Sequence, residues 1–281
     1  MNKPLKYPVL VLLLLFVAGA LICNIALLAM GSAIGSWTVM HNATWLRIAQ
    51  TITVAVSFIV PALFVMRRQG YKIEMLPKRE HHWQDYALAV IAWLAAAPLV
   101  NLTSQWNHKL TAFDFFKHIE TLQQSIAKTT ETLVAYDSFG ELCIVFLVAA
   151  LLAAMAEELF FRGAMQNSLL ERIKPAWTIV IVAVVFSLMH GDVLDFVPRV
   201  LLGLVFGYVA WKTGTLAITI LLHTLNNTIA IIGTNNSISE LELIGTGDTW
   251  FLSIAGAAIL IWALSKIKAH SKETDNNNLQ L

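Results

Sequence analysis

Glu157 and Glu158 sit side by side in an apolar stretch, FGELCIVFLVAALLAAMAEELFFRGAMQ, with Arg162 shortly after them. A charged side chain at the centre of a spanning helix costs about 2.5–3.5 kcal/mol on insertion scales, so such residues face a bundle interior or a water-filled cavity and mark function. Two further polar groups recur in later apolar stretches: His190 in FSLMH, then His223 and Asn227 in HTLNN. A carboxylate and an imidazole that share a water can act on it as general bases. An imidazole N–H and an amide NH₂ on one helix face are suitable donors to an oxyanion.

Spacing suggests how these groups divide the work. Glu158 and Arg162 are four apart, share a helix face, and have the acid on the favoured N-terminal side. Glu157 is rotated from Glu158 by about 100°, which leaves it as the free carboxylate. The plainer alternative is that both glutamates hold Arg162 at the membrane boundary. ERIKP supplies a turn at Lys174–Pro175. Helices running back antiparallel from it would place Glu157 and His190 equally far along, each roughly 25 Å at 1.5 Å per residue. Because the apolar run ends soon after Glu157, that geometry requires both helices to project beyond the bilayer. His223 and Asn227, again four apart, point one way; the alternative for them is an interhelical hydrogen-bond pair.

The elements that must position these residues are membrane helices. The chain is 57% apolar and 13% charged, against roughly 25% charged in soluble domains. Apolar runs near 7–30, 43–66, 84–101, 139–161, 176–190, 196–211, 215–232 and 250–265 predict an all-α polytopic membrane protein of about eight transmembrane helices, the fifth and sixth short. Residues 1–265 read as one membrane-embedded domain and 266–281 as a polar, disordered cytoplasmic tail.

With the N-terminus inside, inside segments hold Lys3, Lys6, Arg67, Arg68, Lys72, Lys78, Arg79, Arg172, Lys174, Lys212, Lys266, Lys268 and Lys272. Outside loops hold Lys109, Lys117 and Lys128, while Arg47, Arg162 and Arg199 lie within spans or near their ends. Thirteen against three puts both termini in the cytoplasm. The first run is too long for a signal-peptide core and lacks a clear cleavage site, so it reads as an uncleaved helix. A net charge of +1 suggests no nucleic-acid partner. Cys23 and Cys143 fall within spans, which suits packing rather than a disulfide, and they form no metal or redox motif; no cofactor is expected.

Other features have structural readings. Trp106, Leu110, Phe113, Phe116, Ile119 and Leu122 recur at helical spacing in the loop 102–138, as an interfacial amphipathic helix or as a lid over the bundle. The loop 67–83 is basic and suits anionic headgroups. Gly203 and Gly207 predict close helix packing inside the fold, while Gly31 and Gly35 lie at a helix end. Tyr136–Asp137 and Gly245–Thr246–Gly247–Asp248 fit the letters of aspartyl intramembrane proteases, but both aspartates precede apolar runs and read as N-caps.

EELFFR is an EExxxR motif (Glu157, Glu158, Arg162), FSLMH an FxxxH motif (Phe186, His190), and HTLNN an HxxxN motif (His223, Asn227). In that order, on successive apolar segments across roughly 139–232, they resemble the CAAX-prenyl-protease and bacteriocin-processing family, also called Abi proteins. The resemblance implies an eight-helix intramembrane glutamic-type endopeptidase, metal-independent, with its site in a cavity open to the cytoplasm. It implies that Glu157 and His190 activate water, that His223 and Asn227 bind the oxyanion, and that Glu158 and Arg162 support the site. The implied partners are a peptide or membrane-protein substrate and the lipid bilayer, and the implied location is a bacterial inner membrane. Two readings compete. Glu157, Glu158, His190 and His223 could bind zinc in a metalloprotease, although no HExxH is present. A non-catalytic binding or bacteriocin-immunity factor, or a transporter, would use the same polar groups as a ligand site.

Overall fold

The computed structural model describes residues 3–35, 41–72, 83–112, 114–236 and 244–268. The chain forms α1 (Pro8–Ile34), α2 (Ala43–Gln69), α3 (Trp83–His108), α4 (Asp114–Val134), α5 (Phe139–Leu170), α6 (Pro175–Met189), α7 (Phe196–Thr213), α8 (Ala217–Asn236) and α9 (Phe251–Lys266), with no strand among the described residues. All except the amphipathic α4 follow the apolar runs. Seven are long and apolar enough to cross a membrane; α6, with 15 residues, is shorter. At 1.5 Å per residue α6 reaches about 22 Å, less than a ~30 Å hydrocarbon core. The protein is an all-α, multi-pass membrane protein.

Two ends of the bundle are distinguished by their hydrogen bonds. At one, the Leu5 N–H donates to Gln69 at 2.6 Å, Arg172 donates to the Lys6 carbonyl at 2.7 Å, and the Lys268 N–H donates to Asp85 at 3.1 Å. At the other, Arg47 donates to the carbonyls of Leu133 and Ala135, Gln123 donates to Asp192, and Asn235 donates to the Val134 carbonyl. The first end carries the segments next to both termini; the second carries α4.

Between these ends, α1, α2, α5, α6 and α8 meet around Leu12, Met66, Phe160, Phe161, Phe186 and Ile220. Edge-to-face rings run from Phe16 through Phe58, Phe160 and Phe161 to Phe186, with centroids 4.9–5.3 Å apart. The second group of helices is α3 against α9 and α7. Outward residues such as Leu14, Leu21, Ile25, Ile254 and Ile261 are exposed and apolar, as a lipid-facing surface requires.

The apolar run ends near 161 but the helix does not: α5 continues to Leu170, as equal spacing of Glu157 and His190 from the turn required, so Glu157 lies well inside it. The segment RGAMQNSLL stays helical while each of its buried polar side chains finds a partner inside the bundle. Arg162 donates to Glu158 and to the Gly203 carbonyl, Gln166 to the Gly207 carbonyl at 3.0 Å, and Ser168 to the Ala164 carbonyl. Hydropathy penalises each of these residues singly and cannot see their partners. The helix is widened to i→i+5 hydrogen bonding at Phe146–Leu152 and Leu159–Gln166, on both sides of the glutamates; such turns are rare and recur at functional sites.

Gly203 and Gly207 carry the close approach of α7 to α5 and α6. A Cβ on Gly203 would lie 3.0 Å from the Ala183 backbone, and one on Gly207 would lie 3.1 Å from the Gln166 amide oxygen. Gly203→Val should therefore force α6 and α7 apart and cost about 1–3 kcal/mol, the usual range for overpacking. Thermal unfolding in detergent checks this; an unchanged midpoint would contradict it.

Neither aspartate occupies the expected cap position. Ser138 caps α5, accepting from the Glu141 N–H, while Glu141 in turn accepts from the Asp137 N–H. Asp248 lies in the short turn Gly247–Thr249, for which Thr246 forms the capping box. The serine and threonine hydroxyls occupy the cap positions, leaving the aspartates beside them. α4 packs on α2 and α8, as a lid rather than as a detached interfacial helix. Of its predicted stripe, Phe113 and the side chains of Phe116 and Leu122 lie outside the described residues, as do most of the basic loop 67–83 and the tail beyond 268. Cys23 and Cys143 are both free thiols.

Candidate active site

α5, α6 and α8 bring the three motifs together. α5 and α6 run back from the turn at 171–174, and Glu157 Oε2 lies 3.7 Å from His190 Nε2. From α8, His223 Nε2 reaches within 3.6 Å of the same carboxylate oxygen. Glu157 Oε2 is buried and has no hydrogen-bond partner within the protein. Two polar atoms 3.6–3.7 Å apart can both touch one oxygen at normal hydrogen-bond distance.

The imidazole roles follow from their other contacts. His190 Nδ1 lies 2.7 Å from the Phe186 carbonyl, which can only accept, so Nδ1 carries the proton. The neutral ring then turns an Nε2 lone pair towards Glu157. His223 Nδ1 lies 2.9 Å from Glu158 Oε1, and Arg162 Nη1 lies 2.8 Å from that same oxygen. An oxygen receiving two donors is an ionised carboxylate, so His223 Nδ1 donates to it.

Glu158 and Arg162 are fully enclosed, with side-chain exposures of 0%, whereas Glu157 keeps 18% and His190 31%. The pair thus lies behind the site and Glu157 opens onto it. The Arg162 guanidinium also lies over the rings of Phe186 (4.8 Å) and Phe206 (5.6 Å). Phe186 contacts both imidazoles edge-on, 4.7 Å from His190 and 5.9 Å from His223. The FxxxH phenylalanine therefore spaces three of the polar groups at once.

Glu157, His190, His223 and Asn227 line one cavity of about 440 Å³. Thr129, Thr130, Leu133 and Val134 of α4 line it too, as do Gln50 and Thr53 of α2. Sequence reasoning missed Gln50, Thr53, Phe206 and the two α4 threonines. Gln50 and Thr53 had left a signal, two polar residues three apart in an apolar span; Phe206 had left none. Among the described residues, no three His, Cys, Asp or Glu side chains are arranged to hold a metal ion.

Residues 139–229 match the Rce1-like family model, described as type II CAAX prenyl endopeptidase. The matched stretch starts with α5, ends within α8, and contains all three motifs. It agrees with the family resemblance seen in the sequence, and the family it names is one of endopeptidases. No curated protein and no solved structure matches the chain.

Proposed function

We propose that this protein is an intramembrane endopeptidase that hydrolyses a peptide bond with a water activated by Glu157 and His190. The observation that carries the reading is the Glu157 carboxylate oxygen, buried without a partner, facing two imidazole nitrogens in a cavity within the helices. Glu157 and His190 Nε2 are both acceptors, so one water can donate a proton to each and turn its lone pair towards a carbonyl carbon. Attack transfers a proton to Glu157 and forms a tetrahedral oxyanion. His223 Nε2–H and the Asn227 amide donate to that oxygen. Because His223 already gives its Nδ1 proton to Glu158, donation from Nε2 calls for the doubly protonated ring, and Glu157 and Glu158 together then face two cations, that ring and Arg162. Glu157 then passes its proton to the amide nitrogen as the C–N bond breaks.

In this reading Glu158 and Arg162 orient His223 without touching substrate, and Phe186 spaces the imidazoles. The protein is a single membrane-embedded domain with its protease core at 139–232, in a bacterial cell membrane with both termini cytoplasmic. Mechanism and residue roles rest on geometry and on the family match.

Asn227→Ala tests the oxyanion assignment. Loss of one such donor typically costs about 10²–10³ in kcat. With a cleavable peptide found by screening prenylated CAAX and unmodified fluorogenic peptides, the variant should show that fall with little change in KM and an unchanged melting temperature. Wild-type turnover in Asn227→Ala would remove the residue from the mechanism. A folded wild type that binds but cuts no peptide would favour a binding role.

A further inference from the structure

The cavity lies at one end of the bundle, and charge says which side of the membrane that end faces. Its floor is Glu157 and His223, deeper in the bundle, and its walls rise along the last third of α1 (Leu27), the first turns of α2 (Leu46, Gln50), the end of α4 (Thr130), His190 just past α6, and the later half of α8 (Asn227). The walls belong to the end opposite the segments next to the two termini. Among the described residues, the terminus-bearing end carries ten Lys and Arg, at 3–6, 67–72, 172–174, 212 and 266–268. The cavity end carries Lys109, Lys117 and Lys128, together with Arg47 and Arg199. Arg47 is buried on the carbonyls of Leu133 and Ala135, and Arg199 is held by Asp192 at 3.2 Å, so both are engaged within the fold. Flanking Lys and Arg stay on the cytoplasmic side, where the leaflet is anionic.

We propose that the cavity opens on the non-cytoplasmic face, and that the substrate is a polypeptide segment reaching the membrane from that face. This rests on the endopeptidase reading above and deepens it. It reverses the cytoplasmic opening implied by the resemblance, because the structure puts the cavity and the basic segments at opposite ends. A cytosolic prenylated C-terminus would approach the end of the bundle opposite the cavity's mouth. An exported peptide, or an extracytoplasmic loop of a membrane protein, meets the cavity directly. α4 lies over that mouth, with Thr129 and Thr130 facing the cavity and Gln123 bonded to Asp192 beyond α6, so the segment must pass between α4 and its neighbours.

The test places single cysteines in a Cys23→Ala/Cys143→Ala background, one at the mouth (Thr130→Cys) and one at the other end (Lys174→Cys), both at exposed positions. Full-length protein in intact bacterial cells is treated with a membrane-impermeant maleimide, and labelling in detergent calibrates each site. Thr130→Cys should label in intact cells and Lys174→Cys only after permeabilisation; the reverse pattern overturns the proposal. In parallel, spheroplasts with wild type or Glu157→Gln receive an impermeant fluorogenic peptide library. Cleavage by intact wild-type spheroplasts alone supports the substrate class, and cleavage only after lysis overturns it. The expected labelling with no cleavage under either condition overturns the endopeptidase reading and the substrate class with it, while the sidedness stands.

Discussion

Arg162→Met should lower the melting temperature in detergent by on the order of 10 °C, the largest stability loss expected from a single change at this site. Arg162 and Glu158 are both fully enclosed, and removing one partner of a buried ion pair typically costs about 3–5 kcal/mol. For a chain of this size each kcal/mol moves the midpoint by roughly 2–4 °C. Methionine keeps most of the volume between Phe186 and Phe206, so the loss reports charge rather than a cavity. Glu158 would keep its contact with His223 but lose its cation, and the Gly203 carbonyl would lose its donor. Glu158→Gln/Arg162→Met should recover much of the loss, since no uncompensated charge remains. A single variant that melts with wild type, or a double variant that melts at the sum of its singles, would contradict the buried-pair account.

Glu157→Gln should lower kcat/KM by about 10³-fold or more while leaving the fold intact. The substitution keeps shape and removes the proton acceptor, and positioned general bases contribute about 10²–10⁴-fold. The 18% exposure of Glu157 and its unpartnered oxygen mean that no structural bond is broken. His190→Ala should fall similarly, because both groups act on one water. Residues that act as a unit are non-additive, so Glu157→Gln/His190→Ala should be no slower than the worse single variant. Independent, multiplying losses would show that the two groups do not share a step.

Much of the fold was legible because each apolar run reports its own burial in lipid. The eight runs predict eight helices, and the three motifs sit on α5, α6 and α8. What sequence could not supply was partnership. The apolar run stops short of the end of α5 because Arg162 and Gln166 look like a boundary until α7 offers the Gly203 and Gly207 carbonyls. The roles of the two imidazoles were hidden for the same reason: His190 is oriented by the backbone carbonyl of Phe186 and His223 by Glu158. The choice between a lid and an interfacial helix for α4 turned on contacts with α2 and α8, which an amphipathic stripe does not specify. The side of the membrane on which the cavity opens needed both kinds of information, charge from sequence and the cavity's position from the fold.

The most direct test is peptide cleavage by purified full-length protein in detergent, with wild type and Glu157→Gln side by side and a strong chelator present throughout. The account predicts that wild type cleaves at an undiminished rate in chelator and that Glu157→Gln, with a wild-type melting temperature, does not cleave. Cleavage retained by folded Glu157→Gln would contradict the Glu157-activated water, and wild-type cleavage abolished by chelator would move the chemistry to a metal ion.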